Sequence, residues 1–166
     1  MTGNVFVTVG TTSFDSFIKA VLDENTLQVL KKLGYSNLTL QVGKGQEPRV
    51  SDVTGLRITW YRFKPSIQAD FESADLVISH AGAGSCLEAL QAGKRLLVVI
   101  NESLMGNHQL ELAEKLCELG HASMCVPATL PSTLLSLPST AQNPFEIVNS
   151  IAIQKYPNLK FKFSPL

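Results

Sequence analysis

Apolar positions along this chain follow two alternating periods. Short, nearly continuous apolar runs, NVFVTV (4–9), LTLQV (38–42), LRITWY (56–61), DLVIS (75–79), RLLVVI (95–100) and HASMCV (121–126), predict β-strands. Between the first two, Phe14, Phe17, Ile18 and Val21, then Leu27, Leu30 and Leu33, fall at helical spacing, and Gly34 makes a stop. SIQADFESA (66–74) predicts one short helical stretch. SCLEALQAG (85–93) predicts a helix ended by Gly93, and NHQLELAEKLCELG (107–120) another, with Asn107 as cap and Gly120 as stop.

Strands that are apolar on both faces and alternate with helices predict an α/β, Rossmann-like parallel sheet with helices on both faces. In such sheets ligands sit beyond the carboxyl ends of the strands, where the strand order reverses, so the informative residues are expected just after strands. Beyond residue 127 the text VPATLPSTLLSLPSTAQNP is rich in Pro, Ser and Thr and predicts short helices and loops. The expected division is a Rossmann-like ligand-binding domain over 1–126 and a helical and loop appendage over 127–166 that packs on it and on a partner. No internal repeat is visible.

Composition narrows the class. The chain has 166 residues, 45% hydrophobic and 17% charged, which suits one soluble domain with a real core. A formal net charge of +0, a pI near 6.8 and scattered Lys and Arg give no reason to expect nucleic acid as a partner. No apolar run approaches the ~18 residues of a membrane span. The start, MTGNVFVTVG, lacks a basic region followed by a long apolar stretch, so a signal peptide is not expected. Cys86, Cys117 and Cys125 show no paired or metal-ligand spacing and read as reduced thiols of a cytosolic protein.

The chemistry concentrates in SHAGAGSCLEAL (79–90), where one turn after a strand is stripped of side chains. A dinucleotide fingerprint fails because Leu87 takes the place of the third glycine after Gly82 and Gly84. The phosphate loop G-x-x-x-x-G-K-[ST] is absent, and a G-x-S-x-G elbow around Ser85 fails at Ala83 and Leu87. What remains is a bare turn before a helix, where an anion can approach backbone N–H groups carrying about half a positive charge. Gly82, Ala83 and Gly84 permit that approach, Ser85 adds a hydroxyl, and His80 can donate to a phosphate oxygen. The same logic applies to Gly10, Thr11, Thr12 and Ser13 after the first strand, and two such turns on one sheet edge suit a diphosphate.

Plainer readings of the same residues stand beside these. Ser85-x-x-Glu88 also fits a capping box. His80 also fits a satisfied strand-end histidine, and Thr11, Thr12 and Ser13 a helix cap. Cys86, at a helix start, is either a nucleophile of lowered pKa or a buried small residue. His108 and Gln109 also fit an exposed first turn, and Trp60 and Phe63 also fit packing.

Taken together, SHAGAGSCLEALQAGKRLLVVINESLMGNHQLELAEKL resembles the donor-sugar motif of GT-B glycosyltransferases: H-x-G-x-x-S-x-x-E, then G-x-P before a strand, then a polar residue and Gln opening the next helix. The matching residues are His80, Gly82, Ser85, Glu88, Gly93 and Gln109. This chain has His108 where many relatives carry Asp, and Arg95 where proline is usual. With VFVTVGTTSFD, LQVGKG and ADLVISHAGAGSCLE added, the chain to about residue 126 resembles the family of small cytosolic subunits of the UDP-N-acetylglucosamine transferase that adds the second sugar to dolichol-diphosphate-linked N-acetylglucosamine. It is also similar to the carboxy-terminal half of the bacterial transferase that glycosylates lipid I.

The resemblance implies roles. Gly10, Thr11 and Thr12, with His80 and the turn of Gly82, Ala83, Gly84 and Ser85, hold the diphosphate. Glu88 accepts from the ribose hydroxyls, the backbone around Phe63 and Lys64 meets the uracil edge, and Asn107, His108 and Gln109 read the sugar. It implies an inverting transfer for which no metal or other cofactor is required, with His80 and Glu88 carrying the catalytic contribution of this chain. A GT-B enzyme needs two such domains, and this chain suffices for one. The other half is then a membrane-anchored acceptor subunit, which recruits this chain to the cytosolic face of the endoplasmic reticulum and brings dolichol-diphosphate-N-acetylglucosamine. In NPFEIVNSIAIQKY (143–156), Phe145, Val148, Ile151 and Ala152 form a candidate docking face, or else pack on their own domain. The rival readings are a non-catalytic nucleotide-sugar-binding module and a self-sufficient homodimeric transferase.

Overall fold

Among the described residues, six strands form a single all-parallel sheet in the order β3-β2-β1-β4-β5-β6. The strands are β1 (Gly3–Thr8), β2 (Tyr35–Gln41), β3 (Arg57–Tyr61), β4 (Leu76–His80), β5 (Arg95–Val99) and β6 (Ser123–Cys125). The helices are α1 (Asp15–Leu22), α2 (Glu24–Lys32), α3 (Gln68–Ser73), α4 (Ala83–Gln91), α5 (Asn107–Glu118) and α6 (Leu130–Ser136), the last entered through a 3₁₀ turn at Pro127–Thr129. The structure is a computed structural model and describes residues 3–103 and 107–138, without the side chains of residues 107 and 108.

Side-chain alternation along the strands sorts the core onto the two faces of the sheet. Val5, Val7, Leu38, Leu40, Ile78 and Val99 point to one face, where they pack with Phe17 and Val21 of α1, Leu30 of α2 and Leu130 and Leu134 of α6. Phe6, Val77, Leu96 and Val98 point to the other face, against Phe71 of α3, Leu87 and Leu90 of α4, and Leu112 and Leu116 of α5. Phe6 and Phe71 meet edge to face at 5.1 Å between ring centres. Pairing puts Val5 between Leu38 and Leu76, and Thr8 between Gln41 and Ser79. The strand order reverses between β1 and β4, so the crevice that open sheets of this type use lies beyond Thr8 and His80.

Three local features depart from the pattern read off the sequence. The helical stretch after β1 is two helices: Asp23 is extended (φ −61°, ψ 139°) and its carboxylate caps α2 by accepting from the N–H of Asn25. Leu33, which continues the apolar stripe, lies past the end of α2 and is 42% exposed. The helix after β4 begins at Ala83, two residues earlier than SCLEAL implies, with Gly82 as its cap. Asn107 is the first residue of α5 rather than its cap, while Gly93 and Gly120 turn the chain at φ +70° and +73° as helix stops. No helix among the described residues is long and apolar enough to cross a membrane. The candidate docking face at Phe145, Val148, Ile151 and Ala152 lies outside the described residues.

Candidate functional site

His80 ends β4 at the reversal point and is 9% exposed. Two glycines wall its ring. A Cβ on Gly10 would stand 2.8 Å from Cε1 and 3.2 Å from Nε2, and a Cβ on Gly82 would stand 2.6 Å from Cε1 with Nε2 nearer still. Gly10 also has φ +64°, a conformation that side chains disfavour, so glycine is required there twice over. Burial lowers the His80 pKa, with the Thr8 backbone opposing the shift, and the ring is neutral at pH 7. Its Nδ1 is buried without a hydrogen bond. The carbonyl of His80 is held from behind by the Ser79 hydroxyl at 2.9 Å and the Cys86 thiol at 3.6 Å.

The first turn of α4 faces the same opening. No side chain caps it, and the N–H of Cys86 is the first to turn inward, reaching the Gly82 carbonyl at 3.1 Å. The N–H groups of Ala83, Gly84 and Ser85 thus remain available, in the part of the helix where a negative charge is stabilised by about 0.3–1 kcal/mol. Ser85 is the third residue of the helix, within its first turn, and its hydroxyl lies 3.6 Å from where a Gly10 Cβ would be. The capping-box reading of Ser85 and Glu88 is therefore corrected: a glycine occupies the cap position, and neither residue lies there. Glu88 projects from the second turn with an exposed side chain, and partial burial of its carboxyl raises its pKa.

The opening after β1 differs in character. The N–H of Gly10 already donates to Gln41 Oε1 (2.9 Å) and Thr8 Oγ1 (3.1 Å), so this amide is not free for an anion. Thr12 turns back on Val9, giving its N–H (3.4 Å) and its hydroxyl (2.9 Å) to the Val9 carbonyl. Thr11 is exposed. Helix α1 starts only at Asp15, after Phe14, so Thr11, Thr12 and Ser13 do not cap it, and the acidic residue in its first turn complements its own dipole. Of the two openings, only the second coincides with a helix start.

Loops from β2 and β3 brace this arrangement. Gly43 (φ +58°) lies against the β1 loop, where a Cβ would meet the Thr12 carbonyl, and the N–H of Lys44 donates to that carbonyl at 3.1 Å. Arg62 donates to the carbonyls of Gly43 (3.2 Å) and Gly45 (2.5 Å). Beyond it, Phe63 is 52% exposed, while Lys64 is engaged by Asp70 (3.1 Å) and lies 4.1 Å from the centre of the Tyr61 ring. On α5 the side chain of Gln109 is half-buried, and those of Asn107 and His108 are not described. Among the described residues no group of three or more His, Cys, Asp or Glu could hold a metal ion.

Cys86 is not a nucleophile. It is 1% exposed, and burial pushes its thiol up to about 12. Sequence reasoning missed Thr8, Gln41 and Arg62. The one signal for Gln41 is a primary amide at the carboxyl end of an otherwise apolar strand.

A parallel sheet of this order with helices on both faces has the fold of the C-terminal half of a GT-B glycosyltransferase. The chain belongs to the family of the glycosyltransferase family 28 C-terminal domain, which matches residues 4–160. Within it, the chain is similar to proteins named UDP-N-acetylglucosamine transferase subunit ALG13. The Homo sapiens protein is 54% identical over 122 residues, covering 73% of this chain and 11% of its own length, so this chain spans about a tenth of that relative. The Saccharomyces cerevisiae protein is 31% identical over 156 residues, covering 74% of this chain and 77% of its own. An NMR solution structure of ALG13 superposes with a TM-score of 0.69 at 27% identity, covering 93% of this chain and 94% of that one. MurG of Acinetobacter baumannii superposes with a TM-score of 0.63 at 23% identity over 91% of this chain and 41% of its own, a likeness of fold alone.

Proposed function

We propose that this chain is the donor-binding subunit of a UDP-N-acetylglucosamine transferase that adds the second N-acetylglucosamine, in β-1,4 linkage, to dolichol-diphosphate-linked N-acetylglucosamine. The observation that carries this reading is the meeting of His80, walled by Gly10 and Gly82, with the uncapped first turn of α4. In this reading the diphosphate lies against the N–H groups of Ala83, Gly84 and Ser85, the Ser85 hydroxyl, and one N–H of the neutral His80 ring. Gly10 and Thr12 shape the wall and Thr11 lines it. Glu88 accepts from the ribose hydroxyls, the Phe63–Lys64 backbone meets the base, and Asn107, His108 and Gln109 read the sugar.

The reaction is a single inverting displacement. The acceptor 4-hydroxyl oxygen bonds to the anomeric carbon as the bond from that carbon to the β-phosphate oxygen breaks. The electron pair leaves on UDP, and the hydroxyl proton passes to a base. Charge gathers on the diphosphate in the transition state, so fixed N–H donors stabilise it there more than in the ground state. His80 and Glu88, the titratable groups at the opening, are both engaged with the donor, which assigns the base to the acceptor half. That half is a membrane-anchored subunit at the cytosolic face of the endoplasmic reticulum.

The test is co-expression with such a subunit, followed by an assay of transfer from UDP-N-acetylglucosamine and from UDP-glucose to the lipid-linked acceptor. A charge-assisted contact is worth about 1.5–3 kcal/mol, so His80→Ala or Glu88→Ala is expected to lower transfer about ten- to a hundredfold. Normal turnover in both folded variants removes the site, and donor binding without transfer in any membrane fraction favours a non-catalytic module.

A further inference from the structure

Gln41 is the last residue of β2 and is 2% exposed. Every hydrogen-bonding position of its amide is used. Oε1 accepts from the N–H of Gly10 (2.9 Å) and from the Thr8 hydroxyl (2.5 Å). Nε2 donates to the carbonyl of Gly10 (2.7 Å) and to that of Arg62 (2.7 Å). One side chain thus grips both polar groups of Gly10, the residue whose backbone forms a wall of the His80 ring, and also reaches the peptide that leads into Phe63. Satisfying a buried amide would need no such choice of partners.

We propose that Gln41 is a positioning residue for the nucleotide-sugar donor. It fixes the Gly10 peptide, and through it the His80 ring on the diphosphate side. It also fixes the Arg62 carbonyl, and through it the loop on the base side, so the two walls keep a set separation. Arg62 tightens the same joint from the far side through the carbonyls of Gly43 and Gly45. The inference rests on the donor-site reading given above.

The experiment is calorimetric titration of the full chain with UDP-N-acetylglucosamine, UDP and uridine, well below the melting temperature of each variant. Gln41→Glu keeps the shape but sets a carboxylate oxygen against two carbonyls. It is expected to raise the Kd for UDP-N-acetylglucosamine at least tenfold, and to weaken uridine as well, since both walls shift. Leu38→Ala, on the same strand and fully buried but away from Gly10 and Arg62, is expected to lower the melting temperature at least as much while leaving the Kd unchanged. Thr8→Val removes the hydroxyl shared by Gln41 and Gly10 and is expected to raise the Kd three- to tenfold; it decides the matter if Gln41→Glu does not fold. Wild-type binding with an unchanged Kd in the folded Gln41 variant, or in Thr8→Val, overturns the inference alone. A wild-type chain that binds none of the three ligands overturns the donor-site reading beneath it.

Discussion

Replacing Gly82 by alanine isolates the contact on which the site is built. At φ −77° and ψ 127° the backbone accepts any residue, so no conformational strain enters. The new Cβ would stand 2.6 Å from His80 Cε1 and closer to Nε2. The ring cannot retreat, because the Gly10 backbone, held by Gln41, closes the other side. It must leave its rotamer, at about 0.5–1.5 kcal/mol, within the roughly 1–3 kcal/mol typical of overpacking. Loss of a glycine cap adds about 0.5 kcal/mol. The sum is about 1.5–3.5 kcal/mol, which for a chain of 166 residues lowers Tm by roughly 3–14 °C. The assay is a double-mutant cycle by urea denaturation. In a His80→Ala background the clash is gone and only the cap effect should remain, giving a coupling of about 1–3 kcal/mol, the overpacking contribution alone. Equal losses in both backgrounds would show that Gly82 does not make room for the ring.

Two further predictions follow from burial. Because the folded His80 has a pKa below the ordinary 6.5, the unfolded chain takes up the proton first. The contribution of this group to stability is therefore full above about pH 6.5 and is lost as the pH falls through the folded value; His80→Gln should flatten that part of a urea-midpoint profile between pH 7.5 and 5, and an unchanged slope would refute it. Iodoacetamide at pH 8 should modify half-buried Cys117 before Cys86 and Cys125, whose thiols burial pushes up to about 12. Rapid carboxamidomethylation of Cys86, read by peptide mass spectrometry, would restore it as a nucleophile.

The six strands are legible because a parallel sheet covered on both faces forces near-continuous apolar runs, and VFVTV, LVIS and LLVV have no other use. The position of the candidate site follows from the same rule, since the residues after β1 and β4 lie where the strand order reverses. Local detail fails where two structures share one pattern. Leu27 and Leu30 extend the stripe of Phe17 and Val21, so periodicity does not register that Asp23 breaks the helix to cap a new one. Ser85-x-x-Glu88 satisfies the spacing of a capping box, but a side-chain-free Gly82 takes the cap three residues before Ser85. The Gly10 amide looks available in the sequence, and its commitment to Gln41 depends on a residue 31 positions away that only the fold brings near.

The strand that leads directly into Arg62, β3, is one of the two edge strands of the sheet, paired on one side only with β2. Marginal strands fray long before a core gives way. A molecule whose border has loosened keeps its two oily layers and most of its helices, yet loses one of the four ties that hold its amide latch. In the proposed donor-binding role, uptake of the donor therefore reports the state of this border, not the strength of the interior.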